Sequence, residues 1–496
     1  MTCFKHFKWL FPVLIVATIA TSGCTTNRAT GEQSFTGFMS EADEQKVGAE
    51  EHPKMLKEFG GTYDDRALAA YVSALGKRLV AQSEIPNQEF QFFVLNDDTV
   101  NAFALPGGYV YVSRGLIALC EDEAELAGVI GHEIGHVVAR HTAQRYSSAV
   151  ATQLGLTAVG ILGSVFGAPS GLGNVVSYGA QAALQSYSRS QELEADSLGA
   201  RYMSRAGYNP KALVDFFAKL DAETAIEADA NGRPRDNFNI MSTHPRTSER
   251  IQQARLLATK DMPPNPKRER ALFLSQIDGL LFGTDPKEGF VKGDSFIHPD
   301  LDFRFDFPPG FQIKNGKANV TGTDNKGTTI IFDMEDPKVA TGMPSLTNYI
   351  TRQWAPKAGI TIENPEHLTI NGLEAATGTA QVKTNKGARD LRILAIRGGR
   401  EKIFRFVFLT EPRVTSAMSV PLRKTTYSFR TLSQGEAQAI KPPHIRLRTV
   451  KTGETPEQLA ATMPLGKFND AWFRALNLNV VSDGLASGEQ VKVVAN

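Results

Sequence analysis

Cysteine is almost missing, with three in 496 residues. Cys3 and Cys24 fall in the first 24 positions and Cys120 stands by itself, so the mature chain has no pair from which to build an internal disulfide. Cys120 reads as a small buried hydrophobe. Net charge is missing as well. Lys and Arg number 54 and Asp and Glu 53, a formal balance of +1, which offers nucleic acid or any other polyanion no electrostatic foothold. Beyond the N-terminus there is also no run of the roughly 20 apolar residues that a membrane span requires. The nearest, Leu154–Ala168, is interrupted by Gly155, Gly160, Gly163 and Gly167 and ended by Pro169, so it reads as a Gly-rich helical hairpin or lid. Apolar content of 42% and charged content of 22% are ordinary for a globular protein. A chain of this length exceeds a single core, and about two to four domains are expected.

What is present begins at the N-terminus. "MTCFKHFKWLFPVLIVATIATSGC" carries Lys5 and Lys8, an apolar run from Trp9 to about Ala20, and then small residues ahead of Cys24. This is the plan of a bacterial secretory signal over residues 1–24. Its "TSGC" ending resembles a lipobox in which Cys24 becomes the lipidated first residue, with Thr21 where a leucine is usual. Thr25 after the cysteine, by resemblance to enteric lipoproteins, favours the outer membrane. The expected location is therefore the periplasm, with a lipid anchor in a membrane.

The chemistry gathers in "CEDEAELAGVIGHEIGHVVARHTAQRY", a helix with acidic residues in its first turn and basic ones toward its end. His132 and His136 are four apart, so they leave one helical face at a spacing that one metal ion bridges. Glu133 lies beside them, within reach of a metal-activated water. Neutral imidazoles suit zinc, and a catalytic zinc takes three protein ligands and keeps a position open. His141, five past His136, is expected at the surface. "SYSRSQELEADSLGARYMSRAGYNP" reads as a second helix, capped near Ser188 or Ser190 and stopped at Gly207. Glu192 and Asp196 share one of its faces and Glu194 points from another. Glu192 is thus the expected third ligand, with Asp196 one turn on to hold a ligand histidine from behind.

These motifs, with "STHPRTSER" at 242–250 and "NAFALPGGYVYVSRGL" at 101–116, resemble the gluzincin family of HtpX-type and CAAX-prenyl-protease-type zinc metallopeptidases, in its periplasmic members. The resemblance covers roughly residues 38 to 260. It implies one Zn2+ per chain on His132, His136 and Glu192, with Glu133 as general base. His244 would approach the metal, as a removable fourth ligand or as an oxyanion contact, and Arg250 would support the site. Asn101 to Tyr111 would form the edge strand that takes an extended substrate by main-chain hydrogen bonds, making Asn101, Ala102, Phe103 and Tyr109 the substrate-binding residues. The implied function is a cell-envelope endopeptidase that cuts misfolded or stalled envelope proteins. A competing class is a chaperone or assembly factor with a latent or structural zinc site, against which the intact Glu133 speaks, since a structural site needs no base.

The expected fold class is α+β and multidomain. A mainly helical metallopeptidase domain with a small sheet spans 38–262, and the Pro-rich "KDMPPNPKRER" and a short helix fill 263–290. Short alternating strands over 291–434 ("LDFRFDFPPGFQI", "EKIFRFVFLT") resemble PsbP-like α/β domains and carry no catalytic constellation. The tail, 443–496, runs strand, helix, helix, strand and resembles a LysM module, which implies peptidoglycan as a further partner. Its insert "PLGKFNDAW" departs from the compact LysM pattern.

Overall fold

The protein is described here by a computed structural model. It describes residues 24–153, 186–231, 240, 244–245, 248–316, 318–384, 387–399 and 401–496. The signal segment before Cys24 and the Gly-rich hairpin or lid expected after Leu154 lie outside the described residues.

Two compact units emerge, one made of residues 1–283 together with 443–496, the other of 284–442. In the first, helix Glu41–Glu58 starts on a capping box between Ser40 and Asp43. Helix Arg66–Val80 is capped by Asp65 and buries Leu68, Val72, Leu75 and Leu79 at helical spacing. Helix Glu123–Val138 is capped by Asp122 and buried on nearly every side, as a helix apolar all round must be. Helix Arg189–Arg205 opens on a capping box between Ser188 and Gln191, and Gly207, at φ 88, turns the chain away from its end.

Helices Glu123–Val138 and Arg189–Arg205 lie against each other along a seam of small residues. A Cβ placed on Gly199 would sit 2.8 Å from the His132 backbone nitrogen, and one on Gly131 would sit 3.2 Å from Gly199 Cα. Glycine on both sides is what lets the two backbones come this close.

The Asn101–Tyr111 segment, expected as one edge strand, is two strands. Ala102–Leu105 forms the edge and Tyr109–Ser113 the centre of a three-stranded sheet, with Gln91–Leu95 parallel on its far side. Gly107 and Gly108, at φ 83 and 93, make the reversal that separates them.

The tail does not stand apart. Strands His444–Thr449 and Gln490–Ala495 pair antiparallel, and Ile445, Leu459, Phe473 and Val491 belong to the same apolar core as Leu126 and Ile130. A buried charge network reinforces that packing. Lys492 Nζ donates to the carbonyls of Ala118, Leu119 and Cys120 at 2.7, 3.3 and 2.5 Å. The Glu121 carboxylate accepts from the backbone nitrogens of Asn479 and Val480 and pairs with Lys219 at 2.9 Å. Buried charges persist only when partnered in this way.

The second unit has a seven-stranded antiparallel sheet running from Glu363–Ile370 to Gln312–Asn315, a four-stranded sheet, and helix Pro412–Ser428. Phe303, Phe305, Phe332, Phe404, Phe406 and Phe429 fill a core of its own. The whole is thus a mixed helix and sheet multidomain chain. No helix among the described residues is long and apolar enough to cross a membrane.

Candidate metal centre

The close helix pair brings His132, His136 and Glu192 face to face, and the segment ahead of helix Ser248–Lys260 adds His244. All four are buried. His132 Nε2 lies 3.0 Å from His136 Nε2, 3.1 Å from His244 Nδ1 and 3.6 Å from Glu192 Oε2. Glu192 Oε1 lies 3.4 Å from His136 Nε2 and 2.9 Å from His244 Nδ1. Neighbouring ligands of a tetrahedral zinc, each about 2.0–2.1 Å from the ion, stand about 3.3 Å apart.

Hydrogen-bond direction shows why a cation belongs there. Asp196 Oδ1 accepts from His132 Nδ1 at 2.9 Å, so a ring carrying one proton presents a bare Nε2. Asp196 is itself clamped by Arg250 through Nε at 2.7 Å and Nη2 at 2.8 Å. On the other ligand, His136 Nδ1 meets His141 Nδ1 at 2.7 Å, and His141 Nε2 meets Glu194 Oε2 at 3.2 Å. A carboxylate only accepts, so His141 donates from Nε2 and accepts at Nδ1. His136 therefore donates from Nδ1 and its Nε2 is also bare. Two lone pairs facing each other at 3.0 Å repel unless a positive ion sits between them, and this donor set fits zinc.

Burial lowers His136 well below the usual imidazole range, and it lowers His141 against the pull of Glu194. Both shifts favour the uncharged ring, the form that ligation needs at His136. At His244 burial works downward too, but the charges of Glu192 and Glu133 outweigh it and raise the ring. For Glu192 burial pushes upward, and the His244 charge and hydrogen bond prevail, holding it below the carboxylate range. Asp196 follows the same course, burial being overcome by Arg250.

Glu133 is fully buried, yet among the described residues neither of its carboxylate oxygens takes part in a hydrogen bond, nor does His244 Nε2. These two groups stand 3.5 Å apart. A buried carboxylate beside a ligand set, with no hydrogen bond to tie up its oxygens, is placed to take a proton. Arg250 braces the whole group, with Nη1 2.6 Å from Glu192 Oε2 and 3.3 Å from the His244 carbonyl.

A cleft of about 320 Å³ reaches this centre, lined by His136 and Tyr187 on one side and Ala104, Leu105, Pro106 and Gly107 on the other. Asn101, Ala102, Phe103 and Tyr109 do not line it. Phe103 instead stacks on Tyr111 at 4.7 Å, and Tyr109 lies on the central strand against His52 at 5.2 Å. The edge strand Ala102–Leu105 carries no further strand on its outer side among the described residues. Cys24 is exposed at the start of strand Cys24–Thr26.

Two residues of the site escaped the sequence reading. His141, expected at the surface, is fully buried. The helix ends at Ala139, Arg140 adopts φ 57, and a new helix begins at His141, so the ring folds back on His136. Tyr187 lies outside any motif and stacks on His136 at 3.7 Å. An aromatic residue just before a helix cap carries no signal of such a role.

The family model described as Peptidase family M48 matches residues 66–258. The Beta-barrel assembly-enhancing protease of Yersinia pestis is 34% identical over 209 residues, 41% of this chain and 41% of its own length. Its counterpart in Escherichia coli K12 is 31% identical over 231 residues, 45% of this chain and 46% of its own length. The Mitochondrial metalloendopeptidase OMA1 of Schizosaccharomyces pombe is 30% identical over 263 residues, 50% of this chain and 71% of that protein. The chain thus spans under half the length of the bacterial relatives that it matches. Among solved structures, cyanobacterial PsbP (CyanoP) from Synechocystis is 14% identical over 29% of this chain and 95% of its own, at a TM-score of 0.23. A likeness at that level carries no argument.

Proposed function

The chain belongs to peptidase family M48, and from that premise we propose that it is a zinc-dependent endopeptidase of the bacterial cell envelope. The observation that carries the reading is the pair of bare Nε2 atoms of His132 and His136, 3.0 Å apart, with Glu192 beside them and the unpartnered Glu133 next to all three. His132, His136 and Glu192 would hold the zinc, which would supply a Lewis acid for a carbonyl and a water. Glu133 takes a proton from the water as general base and returns it to the departing amine. Arg250 and Asp196 hold Glu192 and His132 in place. The open side of Ala102–Leu105 takes the extended peptide by main-chain hydrogen bonds, leading it past Ala104 and Leu105 into the cleft beside His136.

Finer assignments belong to the same proposal. The motifs fit the HtpX and CAAX-prenyl-protease subtype, and the substrates are read as misfolded or stalled envelope proteins, a reading supported by the β-barrel assembly in the names of the bacterial relatives. The lipobox-like "TSGC" ahead of Thr25 supports a lipid anchor on Cys24 and an outer-membrane position facing the periplasm. The 291–434 region is read as a PsbP-like binding or scaffolding domain. The strand, helix, helix, strand order of 443–496 supports a LysM-like module with peptidoglycan as its partner. The decisive experiment incubates the purified full chain with casein, with and without chelator, and maps the cuts. Chelator-sensitive endoproteolysis is expected. Cleavage that survives full zinc removal would overturn the reading.

A further inference from the structure

His132 and His136 are ligands of the same kind on the same helix, but they are held in different ways. His132 Nδ1 is held by the Asp196 carboxylate at 2.9 Å, the arrangement usual for a metal-binding histidine. Among the described residues no carboxylate hydrogen-bonds His136 Nδ1. An imidazole stands there instead, His141 Nδ1 at 2.7 Å, and the carboxylate of Glu194 lies one step further out, 3.2 Å from His141 Nε2. Glu194 is anchored in turn by Asn27 Nδ2 at 2.5 Å. His141 and Glu194 are thus ordered partners inside unit 1, and the ring of His141 is fully buried. An imidazole carrying one proton has one donor and one acceptor. With the donor committed to Glu194, His141 can only accept from His136.

We infer that His141 and Glu194 are positioning residues for zinc, fixing His136 in the Nδ1–H tautomer so that its Nε2 lone pair faces the ion. This rests on the metallopeptidase reading above. The backbone supports the assignment. Arg140 takes φ 57, a conformation that costs a non-glycine residue about 1–2 kcal/mol. It is held there by Nε to Glu44 at 2.9 Å and Nη2 to the Met39 carbonyl at 2.7 Å. The consequence of that bend is that His141 sits behind His136 rather than a third of a turn away.

The test compares the wild-type chain with His141→Phe and His141→Gln. Phe keeps the ring volume without an acceptor, and Gln restores an acceptor oxygen without the ring. Zinc affinity is read by competition with a chromogenic chelator, and the His136 tautomer of the metal-free protein by 15N-histidine NMR. Phe should weaken zinc by about 10- to 100-fold and shift His136 toward Nε2–H, and Gln should recover most of the affinity. Undiminished zinc binding by Phe, or equal weakening by Phe and Gln, overturns the inference in favour of packing alone. If Phe does not fold, wild-type apoprotein with His136 as Nε2–H overturns it without any variant. A wild-type chain that binds no zinc instead sinks the metallopeptidase reading, so the two failures are distinguishable.

Discussion

Glu133 and the histidines beside it separate binding from chemistry one side chain at a time. Elemental analysis should find about one zinc per wild-type chain and none in His132→Ala or His136→Ala, each of which removes a bare Nε2 from the ligand set. Glu133→Gln leaves the ligands untouched and removes only the base, so zinc should remain while casein cleavage falls by about 10²- to 10⁴-fold. Equal cleavage by the Gln variant would show that another group activates the water. His244 poses a different question, because its Nδ1 lies within 3.1 Å of His132 Nε2 and 2.9 Å of Glu192. As a fourth ligand it would take the position that water needs. His244→Ala should therefore raise steady-state turnover on casein. A fall of about 100-fold would assign it to the oxyanion instead, and unchanged kinetics would remove it from the site.

The spacing of four between His132 and His136, and again between Glu192 and Asp196, is legible because a helix converts it directly into a shared face. The bend that carries His141 is not. Left-handed backbone is signalled by glycine or asparagine, and at position 140 the chain has an arginine whose conformation is held by residues about a hundred positions earlier. The edge strand was misread at its far end for a related reason. Alternation of apolar residues says that a strand exists, but only the neighbours say whether it is edge or centre, and Tyr109 proved central. The helix seam is another feature that sequence shows only as scattered glycines. Gly199→Ala would put a methyl 2.8 Å from the His132 nitrogen, and backbone at that distance cannot yield as a side chain can. The helices must part, at about 1–3 kcal/mol, and the ligands part with them. A lowered thermal midpoint together with weakened zinc binding is expected. Full affinity in this variant would mean that the seam does not set the site.

The larger division follows from where the chain leaves and re-enters the first unit. Phe282 donates to the Pro443 carbonyl at 2.8 Å, Gly279 donates to Ile445, and Ile445 returns a bond to Leu280 at 2.8 Å. Residues 283 and 443 therefore meet side by side, and 284–442 is a domain inserted into a loop, with its own phenylalanine core. The tail beyond it shares its core and its buried charges with the peptidase helices. A linear reading that sets the peptidase first and two appendages after it misses this, since nothing local in "LRTVKTGETPEQL" announces that Lys492 will end under residues 118 to 120. Two deletions should therefore behave in opposite ways. Joining Gly283 to Pro443 through a short glycine linker should leave a folded first unit that still binds zinc, because the closing hydrogen bonds remain. Stopping the chain after Pro442 should not, because it strips Ile445, Leu459, Phe473 and Val491 from the core that Leu126 and Ile130 share, takes the Asn479 and Val480 nitrogens from the buried Glu121 and takes Lys492 from the carbonyls of Ala118 to Cys120. Calorimetry and zinc content of the two proteins check this, and a stable, zinc-loaded chain ending at 442 would show that the tail is an appendage after all.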